Sequence, residues 1–205
     1  MIRHIGIVLF PNFEDLDAIG PKEVFGMFSK TSGGEWDVAF VSQDGKPVTS
    51  FLGTQIAADH SFESCPPLDL ILLPGGVGTR AEVDNPRIID FVRKHGANAQ
   101  YVTSVCTGAM LLHRAGFLAG KRATTHWGAI GELKALDGVT VVEGERWVED
   151  GNVLTSAGVS AGIDMALYVV ALLKDANVAR SVQQMMEYYP KPPTFDEPAK
   201  AEARS

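Results

Sequence analysis

Short apolar runs alternate along this chain with stretches whose apolar residues recur every three or four positions. The runs "HIGIVLF" (4–10), "WDVAFVS" (36–42), "LDLILLP" (68–74) and "QYVTSV" (100–105) are near-continuous and β-rich, as strands buried on both faces are. Between them, "GPKEVFGMFSK" (20–30) reads as a helix with Pro21 in its first turn. "NPRIIDFVRKHG" (85–96) reads as another, with Pro86 at its first position and Gly96 as its C-terminal stop. A helix over 107–116, a short strand over 121–127 and a helix over 128–136 follow. The stretch 138–158 alternates, and Asp150-Gly151 within it marks a hairpin. Helices over 160–176 and 177–189 close the pattern.

Strands alternating with amphipathic helices predict an α/β fold, a mostly parallel central sheet covered by helices on both faces. The 205 residues contain no internal repeat or linker, so residues 1–189 are expected to form a single α/β domain. Residues 190–205, rich in Pro and charge, read as a C-terminal tail.

Composition changes this picture little. With 45% hydrophobic and 21% charged residues the chain can bury a sizeable core. A formal charge of −7 and no basic run argue against a nucleic-acid surface. The start has no signal-peptide pattern, and the longest apolar segment, 153–173, is interrupted by Gly158, Gly162 and Asp164, against a membrane span. Two cysteines without a secretion signal point to free thiols in a reducing cytoplasm. Five histidines and two cysteines show no metal-ligand spacing.

Ligands of open α/β sheets bind at the carboxyl ends of the strands, which selects the loops after residues 10, 74, 105 and 123. Cys106 stands where a strand hands over to a helix, a corner that projects one side chain as a nucleophile elbow does. The positive end of the following helix would lower its pKa, and Gly108 would let that helix pack closely. The bland alternative is a small buried hydrophobe, the reading that suits Cys65. Glu14, Asp15 and Asp17 crowd the first loop; their mutual repulsion would raise a pKa and supply an acid, or they merely complement a helix N-terminus, with Asp17 as cap. The Gly75 and Gly76 amides, with that of Thr107, are candidates for a pocket that stabilises developing negative charge, or simply form a tight turn. "PGGVGTR" lacks the lysine of a P-loop and the spacing of a dinucleotide fingerprint. His126, at a strand end, is a candidate to orient Cys106, though a lone histidine is more often structural.

Taken together, "LLPGG", "YVTSVCTGAMLLHRAGFLAGKRATTHW" and "SAGIDMALYVV" resemble the ThiJ/PfpI superfamily. More narrowly, "DLDAIGPKEVF", "SCPPLDLILLPGG", "SVCTG", "GKRATTHW" and "YYPKPP" look like its isonitrile (isocyanide) hydratase subgroup, over residues 4–193. The resemblance implies a flavodoxin-like three-layer sandwich, a homodimer and catalysis without a cofactor. It matches Cys106 to the family's nucleophile, Asp17 to the acid that hydrogen-bonds its sulfur, and Thr107 to the residue beside the substrate. His126 and Ser160, the latter in the 158–164 stretch, would stand behind them. The implied reaction hydrates an isocyanide to an N-substituted formamide. The alternatives are glyoxalase- or deglycase-like action on methylglyoxal, and a non-catalytic redox sensor. Protease-like relatives often carry His after the cysteine, where this chain has Thr107; amidotransferase-type corners carry Gly where it has Ser104. Regulators of the superfamily add a helix-turn-helix module, for which the short tail leaves no room.

Overall fold

A computed structural model describes residues 2–190. Residues 191–205, nearly all of the expected tail, lie outside the described residues. The chain runs through β1 (Arg3–Leu9), α1 (Asp15–Thr31), β2 (Trp36–Ser42), β3 (Val48–Thr49), β4 (Gln55–Ile56), β5 (His60–Ser61) and β6 (Leu70–Leu73). It continues through α2 (Thr79–Glu82), α3 (Pro86–Gly96), β7 (Tyr101–Val105), α4 (Gly108–Arg114) and β8 (Lys121–Ala123). A 3₁₀ turn (Trp127–Ala129), α5 (Ile130–Lys134), β9 (Val139–Val141), β10 (Trp147–Asp150), β11 (Val153–Ser156), α6 (Ala161–Leu173) and α7 (Ala176–Met185) follow.

The central sheet has the order β10-β11-β7-β6-β1-β2-β5 and is parallel except for the β10–β11 hairpin. That hairpin turns at Asp150-Gly151 as the alternating pattern predicts. Helices α1, α6 and α7 pack together on one face, and α3 and α4 cover the other at β6 and β7. The three layers of the expected flavodoxin-like α/β fold are thus present. All four residues of β6 are buried, as are Ile5, Ile7, Val8 and Leu9 of β1, which explains why these strands read as unbroken apolar runs. The order reverses between β1 and β6, so the crevice at their carboxyl ends is the switch point where this architecture holds ligands.

Two local expectations are corrected, and one set of elements had no counterpart in the sequence pattern. Helix α1 begins at Asp15, not residue 20, so Pro21 lies inside it and Asp17 sits in its first turn. Pro21 has no N–H for the carbonyl four residues back, but α1 buries Ala18, Val24, Phe25 and Phe28, and packing outweighs that lost bond. The 121–127 strand ends at Ala123 and pairs only with β9, in a separate small sheet. The short strands between residues 48 and 61 carry no periodic run long enough to announce them. Among the described residues, no helix is long and apolar enough to cross a membrane.

Candidate active site

Cys106 follows the last residue of β7 and precedes α4, and its backbone is in the left-handed region at φ 55°. That conformation costs a non-glycine residue roughly 1–2 kcal/mol. Bonds on both sides of the residue offset it. The Cys106 N–H donates to the carbonyls of Ser156 (3.1 Å) and Ala157 (3.3 Å), and the Thr125 hydroxyl donates to the Cys106 carbonyl at 2.8 Å. The corner can form because Gly108 has no side chain: a Cβ there would stand 2.2 Å from the Leu73 carbonyl oxygen. The close packing expected at Gly108 is therefore present, and the elbow presents Cys106 at the carboxyl end of the sheet.

Asp17 reaches the same place from α1 and is wholly excluded from solvent, at 0% exposure. Its Oδ2 accepts from the Gly75 N–H at 2.9 Å, while Oδ1 is buried without a hydrogen-bond partner among the described residues. Burial is the main reason its pKa rises, to about 7; the Glu14 charge adds to the rise, while the Gly75 and Val159 N–H groups and the Cys106 thiol act against it. Desolvation, more than the repulsion expected from crowding, is therefore what raises this carboxyl. Glu14 is also raised, by burial and then by Asp15. Asp15 goes the other way: burial acts upward on it, but hydrogen bonds from Thr54, Ser50 and the Leu52 backbone outweigh that effect.

The low thiol pKa expected from the helix terminus is also corrected. Burial, then the Asp17 charge, pushes Cys106 up to about 12, against the N–H and hydroxyl of Thr107 and the N–H of Gly76, which all favour thiolate. The helix dipole of seven-residue α4 does not overcome desolvation. Cys106 and Asp17 are best treated as one coupled unit, in which the first proton leaves near neutrality and the second only in strong alkali. Between those limits the pair holds one proton. With that proton on Asp17, its repulsion of the sulfur disappears and every donor near Sγ faces a thiolate.

Gly75, Gly76 and Thr107 surround the carboxyl and the sulfur. The Gly75 N–H is taken up by Asp17 and holds its carboxyl. The Gly76 N–H donates to Thr107 Oγ1 at 3.0 Å and acts on the sulfur as well. Thr107 is buried, and its Oγ1 also lies 3.0 Å from Thr79 Oγ1. His126 caps the 3₁₀ turn: its Nδ1 accepts from the Gly128 N–H at 3.1 Å, and its ring lies against Trp127. Burial and the charge of Arg80 push its pKa down. Ser160 is exposed at the start of α6, where it accepts from Arg146 at 3.4 Å. Cys65 is half-buried beside Pro66, in the loop ahead of β6, and burial raises its pKa to about 11.

Thr79, Thr125 and Val159 lie in stretches that the sequence selects, but none of the three stands out there as an individual residue. Val159 is a β-branched residue at φ 52°, and its N–H acts against the rise of the Asp17 pKa. Nothing in the apolar periodicity marks any of them, because each acts through polar contacts and not through an apolar face.

The sequence signature of the DJ-1/PfpI family spans residues 3–172. The chain belongs to the DJ-1/PfpI family. Isonitrile hydratase of Pseudomonas putida is 42% identical over 196 residues, covering 96% of this chain and 82% of that protein. The crystal structure of a ThiJ/PfpI family protein from Pseudomonas syringae superposes with a TM-score of 0.87 at 36% identity, over 95% of this chain and 78% of that one. The HTH-type transcriptional regulator GbdR of Pseudomonas aeruginosa is 27% identical over 91% of this chain, which spans only 51% of the regulator's length. This DJ-1/PfpI chain thus resembles an enzyme over most of that enzyme's length and a regulator over half of the regulator's.

Proposed function

We propose that the protein is an isonitrile hydratase, turning an isocyanide R–N≡C into an N-substituted formamide with Cys106 as nucleophile and Asp17 as acid. The observation that carries this reading is the buried Asp17 carboxyl, raised to about 7 beside the elbow cysteine, in a chain 42% identical to a protein of that activity. Isocyanide carbon accepts both a nucleophile and a proton, and this pair supplies one of each. In the first step the Cys106 sulfur bonds to that carbon and Asp17 gives it a proton, leaving a thioimidate and an ionised Asp17. Water then adds across the C=N bond, its oxygen to carbon and one hydrogen to nitrogen. The resulting adduct collapses, the C–S bond breaks, and the second hydrogen returns to Asp17 as thiolate and formamide separate. Atoms and charge balance, and the chemistry requires no cofactor or metal. Thr107 and the Gly76 N–H hold the sulfur as charge returns to it.

Apolar side chains left exposed on segments that carry site residues favour a homodimer closing over the pocket: Leu16 and Ile19 of α1, Phe51 and Leu52 beside Asp15, and Val77 after Gly76. Light scattering on the eluted protein reports that state, and a monomer at micromolar concentration would count against it. Two free thiols suit a reducing compartment.

The test is to incubate the protein with an aryl isocyanide and measure formamide. Cys106→Ala should lose at least about a thousandfold in turnover, since the covalent route goes with it. Formamide production by Cys106→Ala at the wild-type rate would refute the nucleophile. Wild type that leaves the isocyanide intact but converts methylglyoxal to lactate would replace the reading with its enzymatic alternative.

A further inference from the structure

The turn between β11 and α6 holds the Cys106 backbone, and it is strained. Where it leaves β11, the Ser156 and Ala157 carbonyls accept the Cys106 N–H. Two residues on, Val159 stands at φ 52°, which costs a β-branched residue what it would not cost glycine. Bonds inside the turn are long: the Ala161 N–H reaches the Gly158 carbonyl at 3.3 Å, and the Gly162 N–H reaches the Val159 carbonyl at 3.4 Å. Ser160, at the N-cap position of α6, makes no side-chain cap. His126 rests on the same turn, since a Cβ at Gly158 would stand 2.0 Å from His126 Cδ2. Such a turn needs support from outside, and one residue grips it at both ends. The Arg146 carbonyl accepts from the Ala157 N–H at 2.9 Å. At the other end the Arg146 guanidinium donates from Nη2 to Ser160 Oγ at 3.4 Å, and Nε and Nη2 both meet Asp164 Oδ2. Asp164 Oδ1 accepts from the Tyr188 hydroxyl at 3.0 Å, which ties the clamp to the segment after α7.

We infer that Arg146 is a positioning residue for Cys106: by gripping Ala157, Ser160 and Asp164 it holds the strained turn in the form that seats the Cys106 N–H. Helix stability alone would not place it there, because a guanidinium at the N-terminus of α6 opposes the helix dipole. Nor is global stability the reason, because the Arg146 side chain is half exposed and exposed ion pairs contribute little. The effect of the pair is local, on where the turn lies, and it reaches Cys106 through the Ala157 backbone. This role rests on Cys106 being the reactive residue proposed above. Its first readout is backbone exchange, so failure of the isocyanide reading leaves that arm of the test intact.

The experiment follows amide hydrogen exchange by NMR in the full chain, comparing wild type with Arg146→Met. Without the guanidinium, Val159 is free to leave its left-handed conformation, and the Ala157 carbonyl turns away from the Cys106 N–H. Exchange at residues 106 and 157 should speed up about tenfold, while residues 88–92 of α3, on the other face of the sheet, keep their wild-type rates. Asp164→Ala should reproduce most of the change, and the two substitutions together should go little further, because both break one pair. Arg146→Lys, which keeps the charge and a donor for Asp164, should recover most of the protection. In isocyanide turnover, Arg146→Met should lower kcat about tenfold and leave KM unchanged. Should Arg146→Met not fold, Arg146→Gln removes the same charge and carries the same expectations. A folded variant without the charge whose exchange at residues 106 and 157 is unmoved overturns the inference. So does a rise shared equally by α3, or faster exchange at residue 106 with kcat unchanged.

Discussion

Replacing Asp17 by Asn should impair turnover and yet strengthen the fold in mild alkali. In the unfolded chain this carboxyl ionises at its ordinary 3.8, and in the fold at about 7. Between those values the folded protein keeps a proton that the unfolded chain has released. The contribution of Asp17 to stability is therefore fully present below about pH 4 and is lost as pH rises through about 7. Above that, the ionised buried carboxylate costs on the order of 4 kcal/mol relative to the protonated group. Asparagine never incurs that cost. Its oxygen can still accept from the Gly75 N–H, but its amide nitrogen falls where Oδ1 has no hydrogen-bond partner, a penalty of about 1–2 kcal/mol. The variant should thus be about 2–3 kcal/mol more stable than wild type at pH 8, and about 1–2 kcal/mol less stable at pH 4. Urea unfolding followed by tryptophan fluorescence at pH 4, 6 and 8 gives both values, provided the slopes with denaturant agree. Two parallel stability curves, or a wild type more stable at pH 8, would refute a carboxyl held protonated by burial.

Gly75→Ala would set a Cβ 2.5 Å from the Thr107 backbone nitrogen and 2.8 Å from Cys106 Cβ. Overpacking there should cost about 1–3 kcal/mol in urea unfolding and slow alkylation of Cys106; a neutral result would mean the elbow yields. Thr125→Val removes the 2.8 Å donor that holds the Cys106 carbonyl in its left-handed geometry. A loss of about 1–2 kcal/mol, with faster amide exchange at residues 106–108, is expected, and unchanged exchange would assign the strain elsewhere.

The strand and helix order was legible because apolar periodicity records burial, and burial is what a central sheet between two helix layers imposes residue by residue. Tyr101–Val105 followed by Cys106 and Gly108 announced a corner for the same reason: only a small residue passes the Leu73 carbonyl. The start of α1 was missed because Pro21 and Gly20 look like a boundary, and only packing against α6 carries the helix through them.

The sequence by itself determined the architecture, the elbow position and the family, all of which depend on local pattern. What the cysteine and the carboxylate are as acids was decided by tertiary structure alone. A helix dipole alone would lower the thiol pKa, and crowding alone would raise the carboxylates together. The fold instead removes Asp17 and Cys106 from water and leaves Asp15 among donors. Desolvation depends on which distant segments close over a group, here Gly75, Val159 and Thr107. No spacing along the chain encodes that enclosure.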